Sequence, residues 1–130
     1  MKIAFIGHGQ VGAPLADHLQ RLGHEVTLAA KDPDSPSTIK ALARNAKLRV
    51  AAPRAAVATA DVVFLATPFQ ASADALGAVA EELRGKILVD CTNPVGANLS
   101  HGLNSVQSGA QRIQSLVPGA RVVKAFTIYG

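Results

Sequence analysis

Only one cysteine, Cys91, occurs among the 130 residues, so no disulfide can form within the chain, and no Cys/His cluster has the spacing of zinc ligands. His8, His18, His24 and His101 are scattered. That composition leads us to expect a reduced, cytoplasmic protein without a metal. Tryptophan is absent and aromatic residues make up 4%, which removes the stacking platforms that single-stranded nucleic acids need. Despite the net charge of +4, no nucleic-acid partner is expected. Long apolar runs are also missing, because charges break up the 48% hydrophobic content well before the roughly 18 residues of a membrane helix. No membrane partner is expected either. Ile3-Ala4-Phe5-Ile6 is too short for a secretory core and runs into glycines. The basic residues Lys40, Arg44, Lys47, Arg49 and Arg54 cluster, as a solvated face or as an attraction for a phosphorylated ligand.

What is present is an alternation of short apolar runs with segments of helical period, the pattern of a parallel sheet covered on both faces. Strands are expected at Lys2–Ile6, Glu25–Ala30, Lys47–Ala51, Val62–Ala66, Ile87–Val89 and Arg121–Phe126. Between the first two, Val11, Leu15, Leu19 and Leu22 mark a helix that Gly23 stops. Lys31–Ser37 reads as a loop, with Thr38 capping a helix that carries Ile39, Leu42 and Ala43. Pro53–Ala60 is a short Ala-rich helix. Ala71, Ala75, Leu76, Val79 and Leu83 form the next helix, which ends near Gly85, and Val106, Ala110, Ile113 and Val117 form the last. Six strands with intervening helices, joined by right-handed crossovers, give an α/β Rossmann doubly wound sheet in the order 3-2-1-4-5-6. Ligands of such sheets bind beyond the carboxyl ends of the strands, where strands one and four part.

Gly7-His8-Gly9-Gln10-Val11-Gly12 falls at that place, between an expected strand and an expected helix, which is the context that gives a GxGxxG pattern its meaning. Gly7 permits the tight turn, Gly9 lets the backbone approach a pyrophosphate, and Gly12 lets helix and strand pack closely. The free amides and the dipole at the helix start favour the phosphates. His8 is expected to point away from them. After strand two, Ala30 stands where NAD enzymes place a carboxylate. Lys31 then offers a point charge for a 2′-phosphate, with Asp32 as the competing NAD reading. NADP is thus favoured over NAD. Ser35 and Ser37 add hydroxyls, or are solvated loop residues. Ala66, Thr67 and Pro68 border the crevice from strand four, and Asn93 from strand five. For Thr67 and Asn93, loop-forming hydrogen bonds are an equal reading. Cys91 reads as a small buried hydrophobe.

The glycine turn, Gly23-His24-Glu25-Val26-Thr27, Asp61 to Phe69, Lys86 to Pro94 and Val122 to Phe126 together resemble the NADP oxidoreductases associated with the deazaflavin coenzyme F-420. Their reductase domain is similar to that of STEAP-type metalloreductases. The resemblance implies an NADP-dependent oxidoreductase with a flavin or F-420 as co-substrate, Lys31 at the 2′-phosphate, and Thr67-Pro68-Phe69 with Asn93-Pro94 along the nicotinamide. Catalytic residues remain unassigned. Residues 1–130 are expected to form one NAD(P)-binding domain lacking the C-terminal elements of longer relatives, and a homodimer is a further expectation. Two other readings stay open: a dinucleotide-binding or sensing module without catalysis, and the amino-terminal part of an enzyme like the hydroxyacid dehydrogenases or pyrroline-carboxylate reductases.

Overall fold

The computed structural model describes residues 1–9, 12–67, 71–92 and 109–124. Along the chain run β1 (Lys2–Ile6), α1 (Gly12–Arg21), β2 (Glu25–Ala29), α2 (Pro36–Arg44), β3 (Arg49–Ala51) and α3 (Pro53–Ala58). The second half continues with β4 (Val62–Leu65), α4 (Ser72–Gly77), β5 (Ile87–Asp90), α5 (Gly109–Leu116) and β6 (Arg121–Lys124). The six strands form one sheet in the order β3-β2-β1-β4-β5-β6, with every neighbouring pair parallel. This is the expected Rossmann order.

Strand β1 shows why its apolar residues are continuous. Side chains alternate across a strand. Ile3 and Phe5 therefore join Ala16, Val26, Leu28, Ala41 and Leu48 under α1 and α2. Ala4 and Ile6 join the opposite core with Val57, Leu65, Leu76, Leu83 and Ile113. Both faces are dry, as a parallel sheet requires. Phe5 is fully buried and stacks on Phe64 of β4 with ring centroids 4.9 Å apart, a burial that contributes on the order of 2–3 kcal/mol.

Helix α2 differs from the sequence expectation. It is capped by Ser35, whose hydroxyl accepts from the Thr38 amide, and Pro36 occupies its first turn. Proline suits that place because its missing N–H would have no partner there. Thr38 is therefore a buried helical residue rather than the cap, and it is Ile39 that faces outward, 57% exposed. Leu22 falls just beyond the end of α1 and is likewise exposed, and within α1 Gly12 and Ala16 supply the buried stripe. The helix expected through Leu83 stops at Gly77 and gives way to turns, although Val79 and Leu83 still reach the core. Smaller differences fall at strand ends: β2 stops at Ala29, so Ala30 lies just beyond it, and β5 extends to Asp90. Among the described residues no helix is long and apolar enough to cross a membrane.

Candidate functional site

At the carboxyl edge of the sheet, where β1 and β4 part, the Ala66 amide donates to the Ile6 carbonyl at 2.8 Å. This bond draws the start of the glycine turn against the exit of β4. Gly7 has φ of +93°, and a Cβ there would sit 2.7 Å from the Ala66 carbonyl carbon and from the Thr67 amide. A Cβ on Gly12 would lie 2.3 Å from the Gly7 carbonyl oxygen. Both positions exclude every other residue for reasons internal to the fold. Gly9 is different. Among the described residues a Cβ there would meet nothing within 4 Å, and the Gly9 carbonyl already accepts from the Ala13 amide at 3.0 Å to start α1. The first turn of α1 holds no acidic residue, so no side chain of its own offsets the positive end of the helix dipole.

His8 turns from this loop toward α2. It is 9% exposed, and its Nε2 lies 2.9 Å from the Thr38 hydroxyl and 3.3 Å from the Ser37 hydroxyl. The Thr38 and Ser35 hydroxyls are 2.8 Å apart. A short chain of neutral groups thus ties the glycine turn to the cap of α2. Burial pushes the His8 imidazole below its ordinary pKa, and its Nδ1 is buried with no hydrogen-bond partner among the described residues. Beside it opens a cleft of about 660 Å³ whose polar wall is His8, Ser37, Lys40 and Arg44. Gly9, Ala13, Pro14 and Pro36 form the rest of the wall, and no acidic side chain is among its described lining residues.

The remaining sequence candidates are spread along this edge. Ala30 is half-buried and donates its amide to the Ala51 carbonyl at 2.9 Å. Lys31 is exposed at the start of the β2–α2 loop, which also carries Asp32 and Asp34; an Asp32 carboxylate oxygen accepts from the Asp34 amide at 2.9 Å. Ser35 is engaged as the helix cap. Thr67 is half-buried, its hydroxyl 3.3 Å from that of Ser72. Gln10, Val11, Pro68 and Asn93 lie outside the described residues.

A second polar group, not singled out from the sequence for chemistry, sits at the ends of β5 and β6. Asp90 is 0% exposed. One of its oxygens accepts from the Thr92 amide at 2.8 Å and the Thr92 hydroxyl at 2.6 Å. The other faces the Lys124 ammonium at 3.2 Å, which also donates to the Thr92 carbonyl at 2.6 Å. The signal was available in principle, since register pairs Asp90 with Lys124. Cys91 lies next to this pair, and its thiol is pushed up to about 11 by burial first and by the Asp90 charge second, against an opposing pull from Lys124. It is a buried, unreactive side chain. Among the described residues no group of three or more His, Cys, Asp or Glu is placed to hold a metal ion.

A doubly wound parallel sheet, with a three-glycine turn against its switch point, defines a Rossmann-type dinucleotide-binding domain. Comparison with known proteins narrows the class. Residues 2–94 match the family described as NADP oxidoreductase, coenzyme F420-dependent, and the chain belongs to that family. It is 32% identical over 128 residues to the metalloreductase STEAP3 of Rattus norvegicus, covering 98% of this chain and 24% of the rat protein. It is 32% identical over 142 residues to the F420-dependent NADP reductase of Methanothermobacter marburgensis, covering 97% of this chain and 62% of that enzyme. A solved structure of an Arthrobacter protein, proposed to be an F420-dependent NADP reductase, superposes with a TM-score of 0.85 at 37% identity, covering 100% of this chain and 64% of the other. The chain therefore spans less than two thirds of each of these relatives.

Proposed function

We propose that this chain is the NADP-binding domain of an oxidoreductase that presents the nicotinamide for hydride transfer to a flavin or deazaflavin such as F420. The observation that carries the reading is the contrast among the three glycines. Gly7 and Gly12 are required by the chain's own backbone, whereas nothing among the described residues requires glycine at position 9. The space beside Gly9 suits a pyrophosphate approaching the backbone at the start of α1, where the amides and dipole attract anions. Positive charge for the 2′-phosphate comes from the same end of the sheet. There Lys31, Lys40 and Arg44 make no ion pair among the described residues.

The bound nicotinamide would supply the hydride, so the protein's task is binding, orientation and exclusion of water. The exit of β4 at Ala66 and Thr67 and the exit of β5 toward Asn93 line the nicotinamide side in this reading, with Asp90 and Lys124 holding the latter. A cytoplasmic location and a homodimer that completes the substrate side belong to the same proposal. The test is Gly9→Val, followed by thermal denaturation and by titration with NADP+ and NAD+. The variant is expected to fold and to lose both dinucleotides. A folded variant that titrates like the parent would overturn the assignment.

A further inference from the structure

The carboxyl edge of the sheet carries one row of paired residues, with Ile6 beside Leu65, Leu65 beside Asp90, and Asp90 beside Lys124. Ile6 and Leu65 are core residues, whereas Asp90 and Lys124 form an ion pair at 3.2 Å. The carboxylate is fully buried, and three donors hold it: the Thr92 amide, the Thr92 hydroxyl and the Lys124 ammonium. The Lys124 side chain keeps 28% of its surface exposed. Desolvating two such charges costs about as much as their attraction returns, and well-packed apolar residues of similar size would join the two strands equally well. Cohesion of the sheet alone does not require the pair.

Its position supplies a reason. The row begins at Ile6, immediately before the glycine turn, and Asp90 stands two strands away, about 10 Å at the usual spacing of a sheet. The Cys91 amide donates to the Leu65 carbonyl at 2.9 Å, so β4 and β5 leave the sheet side by side. A dinucleotide on a doubly wound sheet lies across the crevice between two mononucleotide-binding halves, and in the reading above the nicotinamide lies at the exits of β4 and β5. That group changes charge in use. Its ring is a cation in NADP+ and neutral in NADPH, so a lone charge of either sign beside it would favour one form over the other. Asp74, in the first turn of α4, is a further charge on the element that follows β4, but it is exposed and screened by water and salt.

Resting on the reading of the glycine turn as the pyrophosphate site, we infer that Asp90 and Lys124 present the nicotinamide with a charge-neutral wall, which favours neither the oxidised nor the reduced ring. Thr92 fixes the carboxylate and Lys124 cancels its charge. The pair thereby sets the ratio of affinities for NADP+ and NADPH and, through the thermodynamic cycle that links them, the reduction potential of the bound cofactor.

The experiment is equilibrium binding of NADP+, NADPH and 2′-phospho-ADP-ribose, which lacks the nicotinamide, to the full chain and to Asp90→Asn, Lys124→Met and the double variant, with thermal denaturation of each. Asp90→Asn leaves the Lys124 ammonium uncompensated and should weaken NADP+ relative to NADPH on the order of fivefold, the effect of one unit charge about 10 Å away in a medium between protein and water. Lys124→Met leaves the carboxylate and should shift the ratio the other way, by less, because a buried carboxylate without its cation tends to take up a proton. The double variant is neutral again and should return the ratio to that of the parent, and 2′-phospho-ADP-ribose should bind all four proteins alike. A purely structural role would weaken all three ligands together and leave the ratio unmoved. That result would overturn the inference, as would single variants that shift the ratio in the same direction. If Lys124→Met did not fold, Asp90→Asn and the double variant would still decide. If the parent bound neither dinucleotide, the reading beneath it would fall as well. If the parent bound both and Gly9→Val abolished binding while the ratio stayed constant across the charge variants, only the present inference would fall.

Discussion

The two halves of the sheet hold their carboxyl edges by different chemistry. In the first half, the turn after β1 is fixed by backbone packing at Gly7 and Gly12 and by a chain of neutral groups from His8 through Thr38 to Ser35. In the second half, the exits of β5 and β6 are fixed by an ion pair, Asp90 with Lys124, reinforced through Thr92. The consequence is a division of charge. The second half satisfies Lys124 internally, while in the first half Lys40 and Arg44 make no ion pair among the described residues beside the glycine turn. An anionic ligand at this edge would therefore find its attraction in the first half and a rigid, already neutralised wall in the second.

The largest effect should come from filling the space that the first half lacks. Gly12→Ala drives a Cβ to 2.3 Å from the Gly7 carbonyl oxygen, a backbone atom that can move only by disturbing β1 and β4. We expect a loss of about 3 kcal/mol or failure to fold. Gly9→Ala, placed in open space, should cost less than about 1 kcal/mol. Urea denaturation of the two variants measures the contrast directly. Equal stability of both would show that the turn has slack and that packing does not fix the first half.

The next effect concerns the second half. Among the described residues Lys124→Met removes the one cation paired with a fully buried carboxylate, and breaking such a pair from one side leaves a charge that water cannot reach. The expected cost is on the order of 2–3 kcal/mol. Adding Asp90→Asn to Lys124→Met should return part of that loss, because an amide keeps an oxygen for the Thr92 donors without an unpaired charge. A double-mutant cycle by urea denaturation gives the coupling energy. Additive effects would mean that Lys124 acts only by packing, and the ionic half of the comparison would fail.

The sheet was legible because its central strand β1 is buried on both faces and so reads as a nearly continuous apolar run, and the other strands repeat shorter versions of that pattern. The start of α2 was less so. Thr38 and Ser35 are both capping residues by type, and the deciding signal was Pro36 in the first turn. Gly7, Gly9 and Gly12 were legible as a turn, but only coordinates separate the two glycines the fold needs from the one it does not. His8 and Thr38 are 30 residues apart, and Asp90 and Lys124 are 34 apart; contacts at that separation depend on strand order and register rather than on local pattern. Lys40 and Arg44 stood out from the sequence only within a basic cluster. Their spacing of four, with Ser37 three before, was the helical signal that distinguishes them from Lys47, Arg49 and Arg54. Arg49 and Arg54 instead face Glu25 and Glu82.

The smallest effect separates the neutral network from the ionic one by its response to pH. His8 is held neutral by burial, so its folded pKa lies below the ordinary value of 6.5. In the window between the two values, the unfolded chain binds a proton that the folded chain does not. Stability therefore falls as pH is lowered through that window and levels off below the folded value. Asp17 has a pKa lowered below 3.8, with the Arg21 hydrogen bond as the leading cause, so its contribution is lost only in more acidic solution. His8→Asn should cost about 1 kcal/mol at neutral pH through the lost bond to Thr38, and should flatten the decline in stability between about pH 7 and pH 5. Urea denaturation of parent and variant at three pH values across that range is sufficient. An unchanged slope in the variant would mean that His8 titrates alike in both states, and that the link between the glycine turn and α2 is open to water.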